Sequence, residues 1–121
     1  MATILVVEDE PTIREVVCDV LGSSHSCHAV RTAEEGLELL AEAAFDVLVT
    51  DVKLPGMDGD EFLRRARELA PSLPVILISG GYGYDELTYE EEGAFGYLLK
   101  PFDIADLEAI VERALGRGSA G

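Results

Sequence analysis

Three carboxylates, a hydroxyl and an ammonium stand where short apolar runs end. Glu8 and Asp9 follow Ile4-Leu5-Val6-Val7, and Asp51 follows Val47-Leu48-Val49-Thr50. Ser79 follows Val75-Ile76-Leu77-Ile78, and Lys100 follows Tyr97-Leu98-Leu99. If these runs are parallel strands of one sheet, the polar groups converge at a single edge. Carboxylates held close together repel and resist ionising at once without a cation. A hard divalent ion answers that repulsion, and Mg²⁺ takes one or two carboxylates, keeps waters and bridges to phosphate. Asp51 is then the candidate nucleophile, because a carboxylate can form an acyl phosphate. Lys100 and Ser79 supply a cation and a hydroxyl, the groups that hold phosphoryl oxygens as charge shifts. The set reads as a Mg²⁺-dependent phosphoryl acceptor. Taken singly, Glu8, Ser79 or Lys100 reads equally well as a solvated strand end or a cap; convergence is what separates the two readings.

The elements that must deliver this convergence alternate between β-branched runs and helical periodicity. Strand 1 spans about Thr3–Val7, and a helix begins near Thr12, with Thr12 and Glu15 spaced as a capping box. Its apolar face is Ile13, Val16, Val17, Val20 and Leu21, and Gly22 is placed to end it. Strand 2, about Cys27–Arg31, is the least apolar and suits a sheet edge. Thr32 and Glu35 form a second capping box for a helix through about Ala43. Strand 3, about Val47–Thr50, leads into the loop Asp51–Gly59, and a third helix over about Gly59–Ala70 turns Phe62, Leu63, Ala66, Leu69 and Ala70 inward. Pro71 and Pro74 bracket the turn into strand 4. After Ser79 comes a glycine-containing stretch, Gly80–Gly93, with a short helical signal over Asp85–Glu92. Strand 5 is about Tyr97–Leu99, and the last helix starts near Asp103, buries Ile104, Leu107, Ile110, Val111 and Leu115, and stops at Gly116.

Strands alternating with helices call for a parallel sheet covered on both faces. Right-handed crossovers favour an α/β, doubly wound, flavodoxin-like arrangement of five strands in the order 2-1-3-4-5, flanked by five helices. Ligands of such folds sit beyond the carboxyl ends of the strands at the switch point, here between strands 1 and 3, where Glu8, Asp9 and Asp51 lie.

At 121 residues and 48% apolar composition the chain is one domain with a real core. Its net charge of −15 argues against direct nucleic-acid binding, which needs clustered Lys and Arg. The apolar runs are strand length, far short of the ~20 residues of a membrane span. No basic segment followed by an apolar stretch opens the chain, so a cytoplasmic location is expected. Cys18 and Cys27 form no CxxC pair and read as two buried or half-buried thiols, not a disulfide scaffold. His25 and His28, in a polar turn-like stretch, read as surface residues.

The motifs Val7-Glu8-Asp9-Glu10, Thr50-Asp51-Val52-Lys53-Leu54-Pro55-Gly56-Met57-Asp58-Gly59, Ile78-Ser79-Gly80 and Tyr97-Leu98-Leu99-Lys100-Pro101-Phe102 together resemble those of response regulator receiver domains. The resemblance covers nearly the whole chain. It implies that Asp51 accepts a phosphoryl group from a histidine kinase or histidine phosphotransfer domain. It further implies that Asp9 ligates Mg²⁺, or Mn²⁺ in its place, directly, that Glu8 acts through water, and that Asp51 and the Lys53 carbonyl complete the ligands. Ser79 would hydrogen-bond the phosphoryl group, Lys100 would pair with it, and Tyr97 would be the aromatic switch that turns inward with Ser79. Lys100-Pro101 would be a cis peptide. The output is expected to pass to a downstream effector protein or output domain through Gly80–Gly93, strand 5 and the last helix. Residues 1–116 are expected to form the receiver, with 117–121 a flexible tail or the start of a linker. Met1 just before strand 1 fits an N-terminal receiver. The domain would be a signalling switch that catalyses its own phosphorylation and dephosphorylation, not an enzyme with an external substrate.

Glu8 and Ser79 stand where many family members carry Asp and Thr, and both substitutes suit the chemistry. Lys53, at the mouth of the site, either tunes phosphoryl lifetime or points to solvent. Gly81 offers no side chain to shield an acyl phosphate. Tyr82, Tyr84 and Tyr89 serve either a partner surface or the core edges. Three rivals are weighed. An aspartyl-phosphate hydrolase of the haloacid dehalogenase type would have a second Asp two residues after the nucleophile, where Lys53 stands. A nucleotide- or flavin-binding module would need a Gly-rich cradle in place of the acidic first loop. A degenerate receiver serving only as a protein-binding platform would not need the intact acid pair, Asp51, Ser79 and Lys100.

Overall fold

The computed structural model describes residues 2–54, 56–80 and 93–119. Its elements run β1 (Thr3–Val7), α1 (Pro11–Gly22), β2 (Ser26–Val30), α2 (Ala33–Glu42), β3 (Val47–Asp51), β4 (Lys53–Leu54), β5 (Met57–Asp58), α3 (Gly59–Leu69), β6 (Val75–Ser79), β7 (Gly96–Leu99) and α4 (Ile104–Ser119). The main sheet has five parallel strands in the order β2-β1-β3-β6-β7. Setting aside the small antiparallel ribbon β4-β5, that is the 2-1-3-4-5 order expected from the sequence. Four helices lie among the described residues; the helical signal over Asp85–Glu92, and Gly81, Tyr82, Tyr84 and Tyr89 with it, lie outside them.

Continuous apolar runs make the central strands because side chains alternate between two covered faces. Ile4 and Val6 of β1 join Val47, Val49, Ile76 and Ile78 under α1 and α4, where Val17, Leu21, Leu107 and Val111 meet them. Leu5 and Val7 join Leu48, Val75 and Leu77 on the opposite face, under Leu40 of α2 and Phe62, Leu63 and Ala66 of α3. α2 approaches closely because Gly36 has no side chain: a Cβ there would lie 2.9 Å from Val7 Cγ2 and 3.2 Å from Phe62 Cζ. β2, the edge strand, has no fully buried residue and starts and ends one residue earlier than expected.

The local expectations divide. At α2 the Thr32 hydroxyl oxygen accepts from Glu35 N at 3.2 Å, and the hydroxyl donates to the Glu35 carboxylate at 3.1 Å. The capping box of α1 does not form, because the helix starts at Pro11, with Glu10 as its N-cap and no side-chain cap. Proline's fixed φ suits that first position, and its missing N–H needs no partner there. Val16, Leu69 and Ile104, assigned to buried faces, are exposed; each sits at the rim of its helix's apolar stripe. α4 runs past Gly116 to Ser119, since an interior glycine costs a helix only about 1 kcal/mol and no proline follows to stop it. Among the described residues, no helix is long and apolar enough to cross a membrane.

Candidate functional site

β1, β3 and β6 point their carboxyl ends the same way, so their last residues meet. β3 pairs with β6 so that Asp51 lies opposite Ile78, and Val52 N donates to Ile78 O at 3.0 Å, continuing the ladder one step beyond Asp51. The chain then turns back through the β4-β5 ribbon, and Gly59 N closes the loop onto Val52 O at 3.0 Å. A side chain at Gly59 would put its Cβ 2.5 Å from that same oxygen, which explains a glycine at the first position of α3. At the next junction Lys100 N donates to Ser79 O at 2.7 Å, fixing the lysine beside the end of β6. The Lys100-Pro101 peptide is cis.

The sequence-assigned groups are brought together unevenly. Glu8, Asp51 and Ser79 are buried, with exposures of 1%, 5% and 1%, whereas Asp9 is exposed. One oxygen from each of Glu8, Asp9 and Asp51 lies within 4.8 Å of the others. Lys100 reaches over this group, its Nζ 2.7 Å from Asp51 Oδ2 and 3.2 Å from Glu8 Oε1. Glu8 Oε2 accepts from Glu10 N at 3.1 Å. Glu8 Oε1 is near the ammonium in charge but not aligned for a hydrogen bond, and it is buried without a hydrogen-bond partner. Arg14 Nη1 donates to the Glu8 carbonyl at 3.0 Å, tying α1 to the acidic loop. Sequence reasoning gave Arg14 no role, because a charge on the first turn of a helix carries no sign of where it points. Tyr97 is half-buried and packs against the cluster under α2 and α3. The backbone of Lys53 lies in β4; its side chain is outside the described part of the structure.

Burial and neighbouring charge act together on these groups. Burial pushes the Glu8 carboxyl up, and the Asp51 charge adds to it; the Glu10 N–H and Lys100 oppose only in part, leaving it at about 7. Burial also draws the Lys100 ammonium down, but the hydrogen bond and charge of Asp51, joined by Glu8, hold it above the ordinary lysine value. The donor set suits a hard divalent cation: three carboxylates in reach of one point, one of them with a buried oxygen lacking a hydrogen bond.

Of the two histidines read as surface residues, one is exposed and the other is not. His28 is exposed, with its ring edge-on to Phe45. His25 is largely covered and pinned: Nδ1 accepts from Ala2 N at 3.2 Å, and Nε2 lies 3.1 Å from Glu112 Oε1 on α4. Cys18 and Cys27 are half-buried as expected, but their sulfurs are in contact.

The family model of the response regulator receiver domain matches residues 4–112. Among curated proteins, the DNA-binding transcriptional regulator NtrC of Escherichia coli K12 is 40% identical over 112 residues, covering 91% of this chain and 24% of that protein. The response regulator protein FleR of Pseudomonas aeruginosa is 40% identical over 120 residues, covering 96% of this chain and 25% of its own length. The chain thus spans about a quarter of the length of these relatives. Among solved structures, a receiver domain protein from Clostridium thermocellum superposes with a TM-score of 0.92 at 31% identity, covering 99% of this chain and 98% of the other. NtrX from Brucella abortus superposes with a TM-score of 0.90 at 32% identity, over 98% of this chain and 28% of that one. With the sheet order, the acidic group at its switch point and these matches in agreement, the chain belongs to the response regulator receiver domains of two-component signalling.

Proposed function

We propose that Asp51 is the phosphoacceptor of this receiver, and that phosphorylation and dephosphorylation are catalysed by the receiver's own side chains. The observation that carries the proposal is the Asp51 carboxylate, buried at the end of β3 and held at 2.7 Å by Lys100 beside Glu8 and Asp9. A carboxylate oxygen of Asp51 attacks the phosphorus of a phosphohistidine on a histidine kinase or histidine phosphotransfer domain. The O–P bond forms, the P–N bond breaks, and the electron pair stays with the imidazole. Lys100 is placed to move from Asp51 Oδ2 to a phosphoryl oxygen with little travel, and the Ser79 hydroxyl to donate to another. Glu8, Asp9, Asp51 and the Lys53 carbonyl would hold Mg²⁺, or Mn²⁺ in its place, which when bound neutralises the carboxylates and the phosphoryl oxygens. Glu8 and Asp9 follow β1 without a gap, so their carboxylates are positioned by the most buried part of the sheet.

The signal would leave through Gly80–Gly93, β7 and α4, with Ser79 and Tyr97 as the moving pair, toward an output domain or a separate effector. A cytoplasmic setting fits a kinase donor of this class. Intact mass after incubation with acetyl phosphate and Mg²⁺ tests the reading. One phosphoryl adduct is expected, lost with EDTA and absent in Asp51→Asn. An unmodified wild-type chain under these conditions would favour a receiver fold used only as a protein-binding platform.

A further inference from the structure

Cys18 on α1 and Cys27 on β2 carry free thiols whose sulfurs lie 2.8 Å apart. That is within about 1 Å of the ~2.05 Å of an S–S bond. The proximity is set by regular structure on both sides. Cys27 is held opposite Ile4 in the β1-β2 ladder, and Cys18 follows buried Val17 in α1. Both side chains pack against the core cluster under α1 and α4, so neither is free to swing away. Neither is sealed, since both are half-buried.

We propose that Cys18 and Cys27 form an oxidation site, closing to an intramolecular disulfide with an uncharged hydroperoxide as the oxidant. The Cys18 sulfur attacks one peroxide oxygen; an S–O bond forms, the O–O bond breaks, and water leaves. The Cys27 sulfur then displaces the hydroxyl from the Cys18 sulfenic acid, and that hydroxyl departs as water with the Cys27 proton. Two thiols and one hydrogen peroxide give one disulfide and two waters. Charge and size select the oxidant class. A net charge of −15 repels anionic disulfides such as oxidised glutathione, and half-burial favours a small reagent. The order of attack follows from the environment. Burial, then the neighbouring Cys18 sulfur, push the Cys27 thiol well above the ordinary thiol range, so its thiolate is scarce and it acts second. The same scarcity makes closure slow.

The bond would tether the carboxyl-terminal half of α1 to β2 and close a short ring through the turn Ser23–His25. α1 is the helix that follows the acidic loop and carries Arg14, so the tether acts on an element of the site without touching Asp51. The proposal does not rest on the phosphoacceptor reading.

The test uses the full chain, reduced and then held for hours with hydrogen peroxide at a small excess. It is next denatured and treated with N-ethylmaleimide before intact-mass measurement. The expected product is a monomer two hydrogens lighter, taking up no maleimide and restored by a dithiol reductant. Its unfolding midpoint should exceed that of the reduced chain by about 5 °C. Cys18→Ser and Cys27→Ser should each lack this product. A wild-type chain that takes up two maleimides, links to a second chain, or stops at sulfinic acid would overturn the proposal. The decisive measurement is made on the wild-type chain, so a variant that fails to fold leaves it intact.

Discussion

The two ends of the central sheet treat polar groups in opposite ways. At the amino end, side chains finish what the backbone leaves open. Asp46 Oδ2 accepts from Thr3 N at 2.8 Å, and His25 accepts from Ala2 N while facing Glu112. With Nδ1 accepting, a neutral His25 ring carries its proton on Nε2 and donates it to the glutamate. Asp46 and Glu112 are exposed, so their charges remain hydrated. At the carboxyl end, Glu8 and Asp51 are buried beside each other, with Lys100 as the cation that faces both. Charges at the amino end are left in water; those at the carboxyl end, to which the proposed function assigns the chemistry, are taken out of it, and the rest of the fold bears the cost. A receiver's phosphoryl site needs that concentration of charge, and the apo domain should be strained there.

The sharpest way to break this contrast is to remove its cation. Lys100→Met takes the ammonium away from two buried carboxylates, and at neutral pH without divalent metal it should destabilise the domain by about 2–4 kcal/mol in urea denaturation. The range is set below that of a fully buried pair because Lys100 is partly exposed. Mg²⁺ should restore part of the loss. A change under about 1 kcal/mol would mean that the carboxylates are better solvated than their burial implies. Gly59→Ala probes the same end through the backbone. Its Cβ meets Val52 O, so the loop after Asp51 must shift, at about 2 kcal/mol by thermal unfolding. An unshifted melting temperature would show that the loop yields freely and does not fix Asp51.

The pH dependence comes next. Glu8 binds its proton more tightly folded, at about 7, than in its ordinary state at 4.5. Between those values the native state holds the proton that the unfolded chain has lost, so stability falls as pH rises through this window. Measured in EDTA, the apo domain should lose on the order of 1–2 kcal/mol from this group between about pH 5 and pH 7.5. Glu8→Gln should flatten the profile, and Mg²⁺ at pH 7.5 should offset the loss. A slope unchanged in Glu8→Gln would assign it to the general acidity of the chain.

Much of the carboxyl end was legible in the sequence, and the physical reason is periodicity. Strands buried on both faces must be continuous apolar runs, as β1, β3 and β6 are, and a right-handed parallel topology leaves one edge where Glu8, Asp9, Asp51, Ser79 and Lys100 can end. What the sequence hid depends on how elements sit against one another. Val16, Leu69 and Ile104 recur at helical spacing with buried residues, yet at the rim of each stripe they stay exposed. Ala114 is fully buried, but a small side chain hardly marks a helical stripe. The Cys18–Cys27 contact and the His25–Glu112 pin join positions 9 and 87 residues apart. They are set by how α1 packs on β2 and how the last helix packs beside the turn before β2, which no local pattern encodes. The β4-β5 ribbon is two residues a side, too short for alternation to be seen.

The smallest effect should come from the amino end, and its smallness is the point. Glu112→Gln keeps an acceptor for His25 Nε2 and removes a charge that is 65% exposed. A hydrated carboxylate gains little from a neighbour across a high-dielectric gap and is screened by salt. The expected change in unfolding free energy is below about 0.5 kcal/mol, and it should shrink further in 0.5 M salt. The same measurement on Lys100→Met should keep most of its effect in monovalent salt, because buried charges such as those of Glu8 and Asp51 are screened far less by bulk ions than exposed ones. If Glu112→Gln instead costs as much as Lys100→Met, the amino end also stores charge in a dry setting, and burial at the carboxyl end no longer marks a place set apart for chemistry.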